Sequence, residues 1–134
     1  MHAQLCGAKL RDACTVNGAE PCPINAKDAA DRGAKDGDLV RVFDDRGQII
    51  AGVTATDSIR PGVIRINGGD GYDPAEAGKA GRLSRYGDVN VLSVDVPTSE
   101  LGQGDCGHSI VGEVEKYTGR AVTVGVFTAS KGAE

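Results

Sequence analysis

Tryptophan is absent from this chain of 134 residues, methionine occurs once, and phenylalanine and tyrosine together supply five side chains. With 20 glycines and 5 prolines beside so few aromatics, the composition speaks against a helical bundle and for short strands joined by tight turns. No apolar run approaches the roughly 18 residues that a membrane span needs. The N-terminus lacks the basic start and apolar core of a secretory signal. The formal net charge is −4 and no basic stripe is visible, which argues against a binder of nucleic-acid phosphate backbones. Cys6, Cys14 and Cys22 fall eight residues apart with Cys106 far away, so no C-x-x-C pair exists to anchor a zinc site. Small buried thiols or an incidental disulfide account for them better.

The length suits one domain with a proper core. Its best-defined stretch is residues 20–47. Asn25 can cap a short helix by accepting an orphan backbone N–H, and Asp28 puts negative charge near the positive end of the helix dipole. Gly33 stands where a chain leaving a helix takes a left-handed residue. Asp36-Gly37 and Arg46-Gly47 then bracket a strand at residues 39–43. After the Asp45-Arg46-Gly47 turn, period-two alternation over residues 48–56 predicts an antiparallel partner. Arg60-Pro61-Gly62 fits a type II turn leading to a strand at 63–66.

Elsewhere the pattern is weaker. Residues 1–23 read as an extended arm with one helical turn near 8–14, and residues 67–90 as a long glycine-rich irregular segment. A short strand is expected at Val91-Leu92, a helical turn at residues 99–101, a strand at 110–115, a last strand at 121–127, and a frayed end at 130–134. The sum is a mainly β, single-domain barrel with one or two short helices.

No nucleophile–base pair, G-x-S-x-G elbow or H-E-x-x-H helix is present. The paired carboxylates Asp36/Asp38 and Asp44-Asp45 sit in turns, where capping is their ordinary role. The Gly68-Gly69-Asp70-Gly71 run does not lead into a convincing helix, which makes it a weak phosphate loop. The remaining polar candidates, Asn90, Ser99, Gln103 and His108, cluster late around glycines. Neutral amides offer both donors and acceptors and so suit the edges of bases and pterins. From the residues alone, the chain is a binding or structural module.

Several blocks in one order carry more. Glu20-Pro21, Ile24-Asn25, Asp28-Ala29-Ala30, Arg32-Gly33, Lys35-Asp36-Gly37-Asp38, Val40-Arg41-Val42-Phe43 and Asp45-Arg46-Gly47-Gln48 are followed by Arg60-Pro61-Gly62-Val63 and Tyr72-Asp73-Pro74. Asn90-Val91-Leu92, Thr98-Ser99-x-Leu101-x-Gln103-Gly104 and Val114-Glu115-Lys116-Tyr117 complete the series, with His2-x-Gln4-Leu5 at its start. Together, from residue 2 to about 127, they resemble the C-terminal dinucleotide-binding domain of the molybdopterin oxidoreductases, in the branch of trimethylamine-N-oxide, dimethyl sulfoxide and biotin sulfoxide reductases. The resemblance departs at Ala3, where the family has serine, and at Gly71, where it has tryptophan.

The resemblance implies a double-psi β-barrel of the aspartate-decarboxylase-like kind, with residues 1–19 as an arm entering from a preceding domain, 20–127 as the barrel and 128–134 as a tail. It implies a bis(molybdopterin guanine dinucleotide) cofactor, shared with other domains of an S- or N-oxide reductase that works by oxygen-atom transfer at molybdenum. By position, His2 and Gln4 are expected at the pterin or its phosphates, and Asn90, Ser99 and Gln103 at the cofactor, with His108 as a further candidate. No catalytic residue or metal ligand is expected in this chain. The implied partners are the remainder of the large subunit and a c-type cytochrome donor. The implied location is periplasmic, or cytoplasmic if the chain is of the biotin sulfoxide kind. Two other readings stand beside it: a free-standing double-psi barrel that binds or assembles proteins, and a self-processing decarboxylase-like enzyme, disfavoured because no Gly-Ser pair is present for cleavage.

Overall fold

A computed structural model of the chain describes residues 13–68, 71–104, 110–120 and 123–125. The described residues form one sheet with a single short helix packed beside it. The order of elements is β1 (Glu20–Asn25), α1 (Ala26–Asp31), β2 (Leu39–Phe43), β3 (Gln48–Thr56), β4 (Leu83–Ser84), a 3-10 turn (Val89–Leu92) and β5 (Glu113–Lys116). Among them no helix is long and apolar enough to cross a membrane.

Strand β3 is the spine. It pairs antiparallel with β2 along Leu39↔Gly52 to Phe43↔Gln48. Its other edge takes β4 in parallel at Gln48 and Ile49, then β1 in parallel from Glu20↔Ala51 to Asn25↔Thr56. Strand β5 pairs antiparallel on the far side of β2. Because both faces of β3 are covered, residues 49–53 are all buried, and the alternation read from sequence marks two different packings rather than an inside and an outside. Ile49, Ala51 and Val53 join Cys22, Ile24, Val40, Val42 and Leu92 in the core. Each large aliphatic side chain so buried contributes about 1.5–3 kcal/mol. On the opposite face Gly52 leaves room for the incoming chain, since a Cβ there would lie 2.6 Å from the Val16 carbonyl oxygen.

From residue 26 to 56 the chain folds as its sequence predicts, whereas residues 20–25, read only as the arm's approach to the helix, form strand β1 in parallel with β3. The Asn25 Oδ1 accepts the Lys27 N–H at 3.0 Å and caps α1, while the Asn25 amide donates to the Ile59 carbonyl at 2.8 Å. Asp28 does more than face the dipole: its Oδ2 accepts the Gly62 N–H at 2.6 Å, tying the helix to the Arg60-Pro61-Gly62 turn. Gly33 is left-handed (φ 67°), as are Gly37 and Gly62 (φ 86° and 78°). The turn carboxylates act as caps, with Asp36 accepting from Ala55 N and Asp38 from Lys35 N.

Four expectations change. Residues 63–66 do not form a strand but an extended segment with one bridge, Ile24↔Ile64. The reason lies in β1: Pro23 accepts from Arg65 N at 3.1 Å, but Pro21 and Pro23 have no N–H to return, so no ladder grows there. Val91 and Leu92 belong to the 3-10 turn rather than a strand, because Asp88 caps it at the Asn90 N–H. The strand expected at 110–115 is Glu113–Lys116; its partner β2 ends at Phe43, so residues 110–112 have no ladder to join. Within the arm, Val16 and Ala19 exchange two 3.0 Å backbone bonds around Asn17-Gly18, both left-handed, a tight reversal instead of extended chain. Residues 13 and 14 are helical, while the rest of the turn expected near 8–14 lies outside the described residues, as do parts of 67–90 and 121–127 and all of 130–134.

Candidate functional site

Two short segments carry the described candidates, and they are built differently. The first is the 3-10 turn at Val89–Leu92, with Asn90 exposed in its middle. Asp88, itself buried, accepts the Asn90 N–H at 3.3 Å. Burial pushes the Asp88 carboxyl above its ordinary range, against the pull of the Asn90 backbone and side-chain amides. At the other end Leu92 is buried in the core, and the Arg46 Nε–H reaches its carbonyl at 3.2 Å. The amide of Asn90 has two donors and an acceptor, which leaves it hydrogen-bonding capacity toward solvent.

The second segment is the loop of residues 98–104. It closes on itself: Thr98 N donates to the Gly104 carbonyl at 2.9 Å, and Gly104 N to Thr98 Oγ1 at 3.2 Å. Inside it, Ser99 Oγ accepts Gly102 N at 2.8 Å, and Gln103 N reaches the Ser99 carbonyl at 3.2 Å, so the helical turn expected at 99–101 is realised as one hydrogen-bonded turn. Gln103 is left-handed (φ 43°), unusual for a residue with a side chain, and its amide donates to the Glu100 carbonyl at 3.1 Å. The second amide hydrogen and Oε1 remain for a ligand. Small residues are needed here, as a Cβ at Gly102 would meet Ser99 Oγ at 2.8 Å. Leu101, at the tip, is 99% exposed.

The structure therefore brings Ser99 and Gln103 together, with Asn90 in a separate turn; among the described residues no hydrogen bond joins the two. His2, Gln4 and His108 lie outside the described residues. Val89 and Leu92, flanking Asn90, line a groove of about 500 Å³ with Ile24, Val63, Ile66 and Val111. Asp28, Arg32 and Arg65 add charge to it. Sequence reasoning missed Asp88 and Arg46. The Asp-x-Asn spacing at 88–90 is a local cap signal that could have found the first; the second acts across 46 positions and leaves no local trace.

Cysteine chemistry is no part of the described surface near these turns. Cys22 is fully buried and its thiol is pushed up to about 12 by burial, whereas Cys14 is exposed, and neither is in a disulfide. Among the described residues no group of three potential metal ligands is assembled.

Comparison with known proteins places the chain in a family. Residues 2–111 match the family model described as the molydopterin dinucleotide binding domain. The chain belongs to this family. This molybdopterin dinucleotide-binding domain is 55% identical over 133 residues to a dimethyl sulfoxide/trimethylamine N-oxide reductase of Cereibacter sphaeroides, covering 99% of the chain and 16% of that relative. It is 54% identical to the protein of the same description from Rhodobacter capsulatus, over 100% of the chain and 16% of the relative. Trimethylamine-N-oxide reductase 1 of Escherichia coli (strain K12) is 48% identical over 89% of the chain and 14% of its own length. The domain thus spans about one sixth of the relatives it matches. The exposed, donor-and-acceptor character of Asn90 and Gln103 fits the family's ligand, whose pterin and base edges demand both kinds of partner.

Proposed function

We propose that the chain is the cofactor-binding domain of an S- or N-oxide reductase of the trimethylamine-N-oxide reductase kind, holding bis(molybdopterin guanine dinucleotide) against the remainder of a large subunit. The observation that carries this reading is the match of 133 residues, essentially the whole chain, at 55% identity to a reductase. The chemistry supplied by the bound group is oxygen-atom transfer at its molybdenum; the share of this chain is to hold and orient it. Asn90 and Gln103 hydrogen-bond the cofactor, and Ser99 shapes the loop that presents Gln103. His2 and Gln4 are assigned by their place in the family pattern to the pterin or its phosphates, with His108 as a further cofactor-binding candidate. The double-psi barrel reading is supported by the parallel pairing of β1 and β3 across a connection that contains α1 and β2.

Open apolar surface supports the larger assembly. Leu101 (99% exposed), Val111 (84%) and the groove beside Leu92 are surfaces that the remainder of a subunit can cover. A periplasmic location and a c-type cytochrome donor complete the proposal. The test is the complete enzyme carrying this sequence, purified with its molybdenum and assayed by oxidation of a reduced viologen dye with trimethylamine N-oxide or dimethyl sulfoxide. Turnover of either, with lower molybdenum content in Gln103→Ala, is expected. A loaded enzyme that reduces neither refutes the reductase reading, and unchanged molybdenum in Gln103→Ala refutes the role of Gln103.

A further inference from the structure

The tip of the β2–β3 hairpin touches the Asn90 turn at two points. Asp44 Oδ1 accepts the Arg46 and Gly47 N–H groups at 2.8 and 3.1 Å, which fixes the hairpin loop, and Asp44 Oδ2 lies 2.8 Å from Arg46 Nη2. That ion pair compensates a carboxylate whose side chain is only 7% exposed. Held in this way, the Arg46 guanidinium turns its Nε–H onto the Leu92 carbonyl at 3.2 Å. Beside it Gly47 is buried and not left-handed; its lack of a side chain is explained by contact, because a Cβ would lie 2.6 Å from the Val91 carbonyl oxygen. The same four-residue turn is capped at its start by Asp88. Both of its ends are therefore set from outside, and Asn90 lies between them.

We propose that Arg46 and Gly47 form a positioning clamp, which holds the Asn90 turn in the shape that meets the cofactor. The inference rests on the reading of Asn90 as a cofactor contact. A guanidinium suits the task, since its charge lies 2.8 Å from Asp44 Oδ2 while its Nε–H bonds the Leu92 carbonyl; an ammonium is a point charge and cannot answer both. The clamp spares the turn an ordering cost when ligand arrives.

The test uses the complete cofactor-loaded enzyme with Arg46→Gln, Arg46→Lys, Gly47→Ala, Asn90→Ala and the Arg46→Gln/Asn90→Ala pair. Molybdenum retained per polypeptide is followed in time after dilution and gel filtration, with the unfolding temperature measured alongside. Asn90→Ala is expected to lose cofactor about tenfold faster, the scale of one hydrogen bond to a polar or charged partner. Arg46→Gln and Gly47→Ala follow in the same direction, and Arg46→Lys recovers only part of the loss although it keeps the charge. The pair loses cofactor no faster than Asn90→Ala alone, because both changes act through one contact. Normal retention in Arg46→Gln beside an impaired Asn90→Ala overturns the clamp. So does a pair whose effects multiply, since Arg46 then acts through general stability. Normal retention in Asn90→Ala overturns the reading beneath the clamp, and the clamp with it. Should Arg46→Gln fail to fold, Gly47→Ala displaces the turn from the other contact without touching the ion pair, and normal retention there is equally fatal.

Discussion

The Asn90 turn and the 98–104 loop present similar chemistry and are stabilised in opposite ways. The loop is closed by hydroxyls and backbone of its own residues, chiefly Thr98, Ser99 and Gly104, with the Gln103 amide bonding the Glu100 carbonyl inside it. The turn is shaped by residues distant in sequence, with Arg46 at its end and Leu92 sunk in the core. A self-closed loop can keep its form while its surroundings change. A clamped turn reports on the integrity of the sheet that clamps it.

Two leucines, one in each region, give the sharpest contrast. Leu92→Ala is expected to destabilise the domain by about 2–5 kcal/mol, as for a fully buried side chain, measured by urea unfolding. If it proves mild, the turn is not anchored by the core. Asp88→Ala comes next, at about 1 kcal/mol for the loss of a cap, with faster amide exchange at Asn90 by NMR. Ser99→Ala should cost about 0.5 kcal/mol, because the lost cap is exposed and the Thr98–Gly104 bonds still close the loop. Leu101→Ala should fall within about 0.5 kcal/mol of wild type in the isolated domain, since it buries nothing there. A large loss would show that the tip packs on the domain after all.

Titration sets the Asn90 turn apart from the turn that opens β2. Asp88 has its pKa raised by burial, so the folded chain holds this proton more tightly than the unfolded one. Its contribution to stability is present below the ordinary aspartate value of 3.8 and is lost as pH rises through the raised folded value. Asp38 is the reverse: the side-chain bond from Lys116, then the Lys35 N–H, lowers its pKa, and its contribution is lost as pH falls through the folded value. Urea midpoints against pH should therefore show Asp88→Asn gaining on wild type as pH rises above about 4. The opposite drift would contradict the burial of Asp88.

What could be read from sequence follows the same division. Strands β2 and β3 begin and end where Asp36-Gly37 and Arg46-Gly47 say they should, because turn chemistry is local. Ser99 and Gln103 were legible only within one late cluster with Asn90 and His108, and the local turn joins those two while Asn90 stands in a turn of its own. The missing strand at 63–66 depended on which edge of β1 its prolines face, and the Asn90 turn on a guanidinium 46 positions away. Gly47 was legible as a glycine needed near a turn, but its reason is the Val91 carbonyl rather than a left-handed backbone. The Asn17-Gly18 reversal was written plainly in a dipeptide, yet the surrounding arm offered no alternation to frame it.

The prolines of β1 have one more consequence. Among the described strands, β1 and β5 end the main path of the sheet. An outer edge with ordinary backbone donors is a template on which another copy can add a strand. Pro21 and Pro23 remove two such donors from β1, and Glu113, Glu115 and Lys116 line β5 with exposed charge. Among the described strands, both margins are thereby guarded against edge-to-edge polymerisation.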